Sequence, residues 1–209
     1  AGLQAAGQKR MVTVLFVDLS GFTNLSQGLD AEELYDIVQN CSKIFANAVY
    51  RYEGMVDKFT GDGLMALFGA PIAHENNAEL ALRAALDMHQ DLQKYSDSLF
   101  SKLNHPLTAH IGVNSGTVIV GGIGSNMMMN YTAIGDVVNR ASRLMDKAGP
   151  GNTFVSERVY KQERGLFLFE KTPLLTLKGI KEPVQAYELN GLRETTTSIG
   201  LLEDLYSPM

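Results

Sequence analysis

The sequence predicts an α+β sandwich, with helices packed on a mostly antiparallel sheet, and three observations carry that reading. Strand-like and helix-like stretches follow in the order strand, helix, hairpin, helix, several strands, helix, strands. Two pairs of neighbouring strand-like runs are joined by short glycine-rich connections, which suit hairpins and are too short for parallel crossovers. The composition, 45% hydrophobic and 20% charged over 209 residues, is that of a globular chain and not of a disordered or fibrous one. A doubly wound parallel sheet fits less well because of the two hairpin-like pairs.

Residues 11–17 are a short apolar run rich in β-formers, and Gly21 with the polar residues after it breaks the pattern, so the first strand ends at Asp18. Asp30 is placed to cap a helix that Glu32 and Glu33 favour in its first turn. From there apolar residues recur at helical spacing through Leu34, Ile37, Val38, Cys41, Ile44, Phe45, Ala48, Val49 and Tyr52, stopping at Gly54. Residues 55–60 and 64–68 form a hairpin around Gly61-Asp62-Gly63, with Asp62 at its turn. Pro71 ends that hairpin, and residues 76–99 return to helical spacing. Residues 107–114, 117–120 and 128–134 are strand-like, separated by Ser115-Gly116 and by Gly121-Gly122-Ile123-Gly124, and are expected as antiparallel neighbours. Asp136 is read as the cap of a third helix that turns Val137, Val138, Ala141, Leu144 and Met145 inward and closes at Gly149-Pro150-Gly151. Further strands are expected near 152–155, 174–178 and 184–189, whereas residues 195–209 show no period.

Eighteen Lys and Arg against 23 Asp and Glu give a net charge of -5, so no global basic excess exists to hold nucleic acid or an anionic bilayer. Any polyanionic substrate must be gripped by a local site. No apolar run approaches the roughly 18–20 residues of a membrane-spanning helix. The start, AGLQAAGQKR, reads as a linker of about ten residues within a longer protein. Cys41 is the only cysteine, which excludes an intrachain disulfide, makes a reducing cytoplasmic setting the default, and fits a buried small hydrophobe.

Two carboxylates stand at positions where chemistry is possible. Asp18 ends an apolar strand and Asp62 sits at a glycine-flanked tip; neighbouring strands would bring both to one sheet edge, a donor pair suited to Mg²⁺ with substrate phosphates. The segment Leu19-Ser20-Gly21-Phe22-Thr23 offers small residues and backbone N–H groups able to cradle phosphate. Taken singly, each Asp fits a loop cap or an ordinary turn better. Asn139 and Arg143 lie one turn apart on a helix face, where Arg brings a permanent charge for phosphate oxygens and Asn a neutral donor and acceptor. A solvated face is the plainer reading of that pair, and the one kept for Arg140 and Lys147. The four histidines show neither i, i+4 pairing nor a cysteine partner, so no metal or nucleophilic role is assigned to them. Met127, Met128, Met129, Tyr131, Phe22 and Phe59 are read as packing residues.

Five blocks, FVDLSGFTNL at 16–25, KFTGDGLMALFG at 58–69, HIGVNSGTVIVGGIG at 110–124, YTAIGDVVNRASRL at 131–144 and LKGIKEPVQAYEL at 177–189, together resemble in order and spacing the catalytic domain of class III nucleotidyl cyclases. The resemblance implies one such domain over residues 11–190, with a C-terminal extension at 191–209. It implies a ferredoxin-like βαββαβ core with additional strands and helices, working as a head-to-tail homodimer with two sites at the interface. Asp18 and Asp62 match the metal-binding aspartates, which the resemblance implies hold two divalent cations, Mg²⁺ or Mn²⁺, together with the backbone carbonyl of Leu19. Ser20, Gly21, Phe22 and Thr23 match the phosphate loop, and Lys178 the triphosphate-contacting lysine. Lys58 and Thr132 match the purine-reading pair; Asn139 and Arg143 match the residues that orient the ribose and stabilise the reacting phosphorus.

The activity so implied is in-line attack of the ribose 3′-oxygen of ATP on the α-phosphorus, giving 3′,5′-cyclic AMP and pyrophosphate. Two metals about 3.5–4 Å apart suit that displacement. Lys58 donates only, matching adenine N1, and the glutamate typical of guanylyl cyclases at that place is absent. Threonine at 132, where many adenylyl cyclases carry aspartate, resembles the subgroup that contains bicarbonate-responsive soluble cyclases and makes bicarbonate an expected activator. The alternatives are a guanylyl cyclase and a weakly active or inactive regulatory nucleotide-binding or dimerisation module.

Overall fold

The computed structural model of the chain describes residues 8–21, 29–99, 102–103, 105–125 and 128–194, with side chains left undescribed over 122–132. Among the described residues twelve elements follow one another: β1 (Gln8–Ser20), α1 (Ala31–Arg51), β2 (Met55–Phe59), β3 (Leu64–Phe68), α2 (Asn77–Ser98), β4 (Thr108–Ser125), β5 (Met128–Ile134), α3 (Asp136–Lys147), β6 (Thr153–Ser156), α4 (Glu157–Glu163), β7 (Phe167–Lys171) and β8 (Ala186–Leu192). The strands form one sheet in the order β2-β3-β1-β4-β6-β8-β7, with β5 pairing β4 beside the path. The first six elements, β1 to β4 with α1 and α2, give the order β2-β3-β1-β4 expected of a ferredoxin-like core. Every pairing is antiparallel except that of β4 with β6.

Strand alternation divides this sheet into two faces. Leu15, Val17 and Leu19 of β1 turn to one side and pack with Phe45 and Cys41 of α1 and Leu82, Met88 and Leu92 of α2. Val12, Val14 and Phe16 turn to the other side, where Ala141, Val137 and Met145 of α3 cover them. Phe45 and Leu82 are fully buried, each contributing roughly 1.5–3 kcal/mol of transfer free energy. The capping expectation at Asp30 holds: its carboxylate accepts the Glu33 N–H at 2.8 Å, a bond of about 1 kcal/mol in such caps.

Several boundaries depart from the sequence reading. Residues 107–114 and 117–120 are not two strands but one, β4, because Ser115-Gly116 serves packing and not turning. The Ser115 hydroxyl bonds that of Thr13 across the β1–β4 pair at 2.7 Å, and a Cβ on Gly116 would stand 2.6 Å from Val137 Cγ2. The glycine lets α3 lie down on the sheet, and the Asn114 amide ties that helix by donating to Val137 O at 3.1 Å. Asp136 is the first helical residue of α3, the cap position belonging to Gly135. Of the strand expected at 174–178 only a bridge from Leu175 to Val184 forms. Helix α4 and strand β7 add to the elements expected from sequence, with Ser156 capping α4 by accepting from Val159 N. Phe59, expected to pack, is 57% exposed on the edge strand, while Cys41 is buried as expected. Phe22 and Met127 lie outside the described residues, as do the side chains of Met128, Met129 and Tyr131. Among the described residues no helix is long and apolar enough to cross a membrane.

Candidate active site

Asp18 occupies an even position near the end of β1, so its carboxylate turns to the same face as Val14 and Phe16, the α3 face. Strand β3 runs beside β1 with Leu64 opposite Val17, which lays the turn carrying Asp62 alongside Asp18. Gly63 makes the approach possible, since a Cβ there would stand 2.1 Å from Val17 O and 2.6 Å from Asp18 Oδ1. Burial, and then the Asp18 carboxylate beside it, push Asp62 up to about 6, with the charge of His110 opposing. Among the described residues, the buried Asp18 Oδ1 and Ser20 Oγ have no hydrogen-bond partner.

His110, assigned no role from sequence, faces Asp18 across the β1–β4 pair, its Nε2 4.0 Å from Asp18 Oδ2. Its Nδ1 lies 3.4 Å from Ala148 O, just past the end of α3. Asp18 first, against the opposing effect of burial, raises the imidazole above its ordinary range. Only the strand pairing reveals this neighbour, because Asp18 and His110 are far apart in sequence. Two close carboxylates, one lifted toward protonation and the other with an orphaned buried oxygen, form a donor set that a hard divalent cation fits.

The remaining expected residues gather around α3. Asn139 is exposed and Arg143 half-buried on that helix. The Arg143 guanidinium reaches the turn after Lys178: a Cβ on Gly179 would stand 3.4 Å from its Nη2. Leu177, buried with Leu144 and Ala148, anchors this turn and leaves Lys178 exposed. The sequence therefore folds Arg143 and Lys178 into one neighbourhood. Lys58 is exposed on β2 opposite Met65, a residue of the α3-face core, so it shares the face of Asn139 and Arg143. Leu19 is buried and paired with Ala109, and Gly21 follows in a left-handed conformation with open space around it. Thr132 pairs with Gly121 through the backbone, its side chain lying outside the described part, as do Phe22 and Thr23. A cleft of about 880 Å³ between α3 and α4, lined by Asn114, Arg140 and Arg158, holds none of the expected site residues.

Known proteins bear on this arrangement. The family described as adenylate and guanylate cyclase catalytic domain matches residues 5–191. Adenylate cyclase 1 of Rhizobium meliloti is 30% identical over 189 residues, covering 90% of this chain and 28% of that protein. The adenylate cyclase of Anabaena cylindrica is 31% identical over 195 residues, covering 88% of this chain and 38% of that protein. This chain thus spans about a third of the length of these curated relatives. Among solved structures, the adenylyl cyclase CyaB from P. aeruginosa superposes with a TM-score of 0.86 at 31% identity, covering 90% of this chain and 97% of that one. The guanylyl cyclase Cya2 superposes at 0.84 with 30% identity, covering 92% and 98%. Sequence, sheet order and these likenesses agree, and the chain belongs to the adenylate and guanylate cyclase catalytic domain family.

Proposed function

We propose that this domain is an adenylyl cyclase, forming 3′,5′-cyclic AMP and pyrophosphate from ATP at two sites shared across a head-to-tail homodimer. The observation that carries the reading is the Asp18–Asp62 pair, set side by side by the β1–β3 register and the close approach of Gly63 to Asp18, on the sheet face that also carries Lys58 and is covered by the helix of Asn139 and Arg143. CyaB and Cya2, of opposite base preference in name, are equally similar to this chain, so overall likeness does not choose the purine. The Lys58 ammonium, which only donates, supports adenine, whose N1 accepts where guanine N1 carries a proton. Thr132 accepts from the adenine N6 amino group.

Each residue then has a task. Asp18, Asp62 and the Leu19 carbonyl hold two divalent cations, Mg²⁺ or Mn²⁺. When bound, these lower the pKa of the ribose 3′-hydroxyl and neutralise charge on the phosphates. The backbone from Ser20 to Thr23 grips the triphosphate, joined from the second subunit by the Lys178 ammonium, which shares the neighbourhood of Arg143. From the second subunit, Lys58 and Thr132 fix the purine and Asn139 orients the ribose so that the 3′-oxygen stands in line with the α-phosphorus. Arg143 meets the charge that develops on the phosphoryl oxygens as the bond to pyrophosphate breaks.

Incubation of the purified chain with ATP or GTP and Mg²⁺ or Mn²⁺, at several protein concentrations, tests this by chromatography of the products. Cyclic AMP formed at a specific activity that rises with protein concentration supports both the reaction and the shared site. Cyclic GTP-derived product alone points to a guanylyl cyclase, and no cyclic product from a folded dimer points to a regulatory module.

A further inference from the structure

Strand β2 does not keep a regular alternation. Met55 pairs with Leu67 and Val56 with Ala66, but Lys58 pairs with Met65 and Phe59 with Leu64, so Asp57 is an extra residue opposite none. Ala66 and Leu64 belong to the core under α1 and α2, and Leu67 and Met65 to the core under α3. Regular alternation from Met55 would put Asp57 on the α3 face and send Lys58 to the opposite one. The bulge turns Lys58 back onto the α3 face, so two sequence neighbours point to the same side, as bulges allow. Their charged ends meet: Lys58 Nζ lies 3.7 Å from Asp57 Oδ2, with the lysine side chain 56% exposed and the aspartate side chain 1% exposed.

We infer that Asp57 is a positioning residue for purine recognition, a buried carboxylate that fixes the Lys58 ammonium where it donates to adenine N1. The inference rests on the proposed adenylyl cyclase reading and deepens it. A lysine head rides on a four-carbon stem with many rotamers, and an exposed one has no reason to hold a single direction. The carboxylate, 1% exposed, holds the ammonium by charge at 3.7 Å and leaves its N–H groups free to face outward. Base choice between ATP and GTP depends on that aim, because an ammonium free to swing away from guanine N1–H discriminates weakly. The bulge is part of the same device, since without it Lys58 and Asp57 would lie on opposite faces.

The test compares wild type, Asp57→Asn, Lys58→Ala and the double variant by kcat/KM for ATP and for GTP, with thermal melting of each. Asp57→Asn preserves shape and removes the charge, and is expected to lower the ATP-to-GTP preference about tenfold. In the Lys58→Ala background the same change is expected to alter neither value further, since Asp57 acts through Lys58. An unchanged preference in Asp57→Asn, or the same fold-loss with and without Lys58, overturns the inference in favour of a purely structural carboxylate. Asp57→Glu keeps the charge and displaces the ammonium by one methylene; a lowered preference there supports the inference where the Asn variant does not fold, and an unchanged one overturns it. Absence of any cyclic nucleotide from wild type defeats the proposed function itself, and with it this inference; an active wild type with an unaltered preference in the variants defeats the inference alone.

Discussion

Gly63 stands against Asp18 so closely that a methyl group on it would meet Asp18 Oδ1 at 2.6 Å and the Val17 carbonyl at 2.1 Å. The second of these neighbours is backbone within the β1–β3 pair and has nowhere to go. The hairpin tip is therefore pressed onto the end of β1, and this contact sets the spacing of Asp18 and Asp62.

Gly63→Ala is expected to separate the two carboxylates. Displacement of about 1 Å at a reacting centre costs on the order of 100-fold in rate. Turnover falls by that order, while the chain still melts cooperatively at a somewhat lower temperature. Steady-state rates beside a thermal melt check it, and a loss of rate no larger than the loss of folded protein contradicts it.

Arg143→Lys retains a positive charge and loses the planar fork. With the guanidinium set against the Lys178-Gly179 turn, the substitution is expected to reduce kcat by about 100-fold or more with KM changed only a few-fold, the pattern of a contact made in the transition state. Kinetics over a range of ATP concentration separate the two; a rise in KM at constant kcat assigns Arg143 to ground-state binding instead.

Burial pushes His89 down to about 4, and its Nε2 lies 2.9 Å from Thr153 Oγ1 between α2 and β6. The unfolded chain takes up that proton near the ordinary value of 6.5, well before the folded one does. Stability from this group is complete above about pH 6.5 and is lost as pH falls toward 4, by up to about 3 kcal/mol. His89→Gln keeps a bond to Thr153 and cannot titrate. Urea midpoints between pH 4 and 6.5 are expected to slope less in the variant, and equal slopes refute the assignment.

We propose bicarbonate as an activator, on the presence of threonine at 132 alone. Turnover at fixed pH and ionic strength is expected to rise when bicarbonate replaces chloride, and identical rates in the two salts remove bicarbonate from the account.

Periodicity made the fold legible wherever a segment has one polar and one apolar side. Helices α1 and α2 declared themselves through their apolar stripes, and the hairpin of β2 and β3 through Gly61-Asp62-Gly63. Strand β4 was divided because Ser115-Gly116 looks like a turn in one dimension; its meaning depends on Thr13 and Val137, which only the fold brings near. The short helix α4 and strand β7 leave no signal in the sequence because neither is long enough to show a period. At the site, Asp18 and Asp62 were readable as a pair once strand adjacency was assumed. His110 and Asp57 were not, one because it is placed by strand pairing and the other because it is placed by a bulge.

On the proposed shared site, Asp62 comes from one subunit and Arg143 from the other, and mixing two inactive variants separates this arrangement from a site built within one chain. Asp62→Ala and Arg143→Ala are each expected to be inactive alone. Random pairing makes half the dimers mixed, each with one of its two sites intact, so roughly a quarter of the wild-type rate returns on mixing. No recovery, with mixed dimers shown to form, contradicts the shared site.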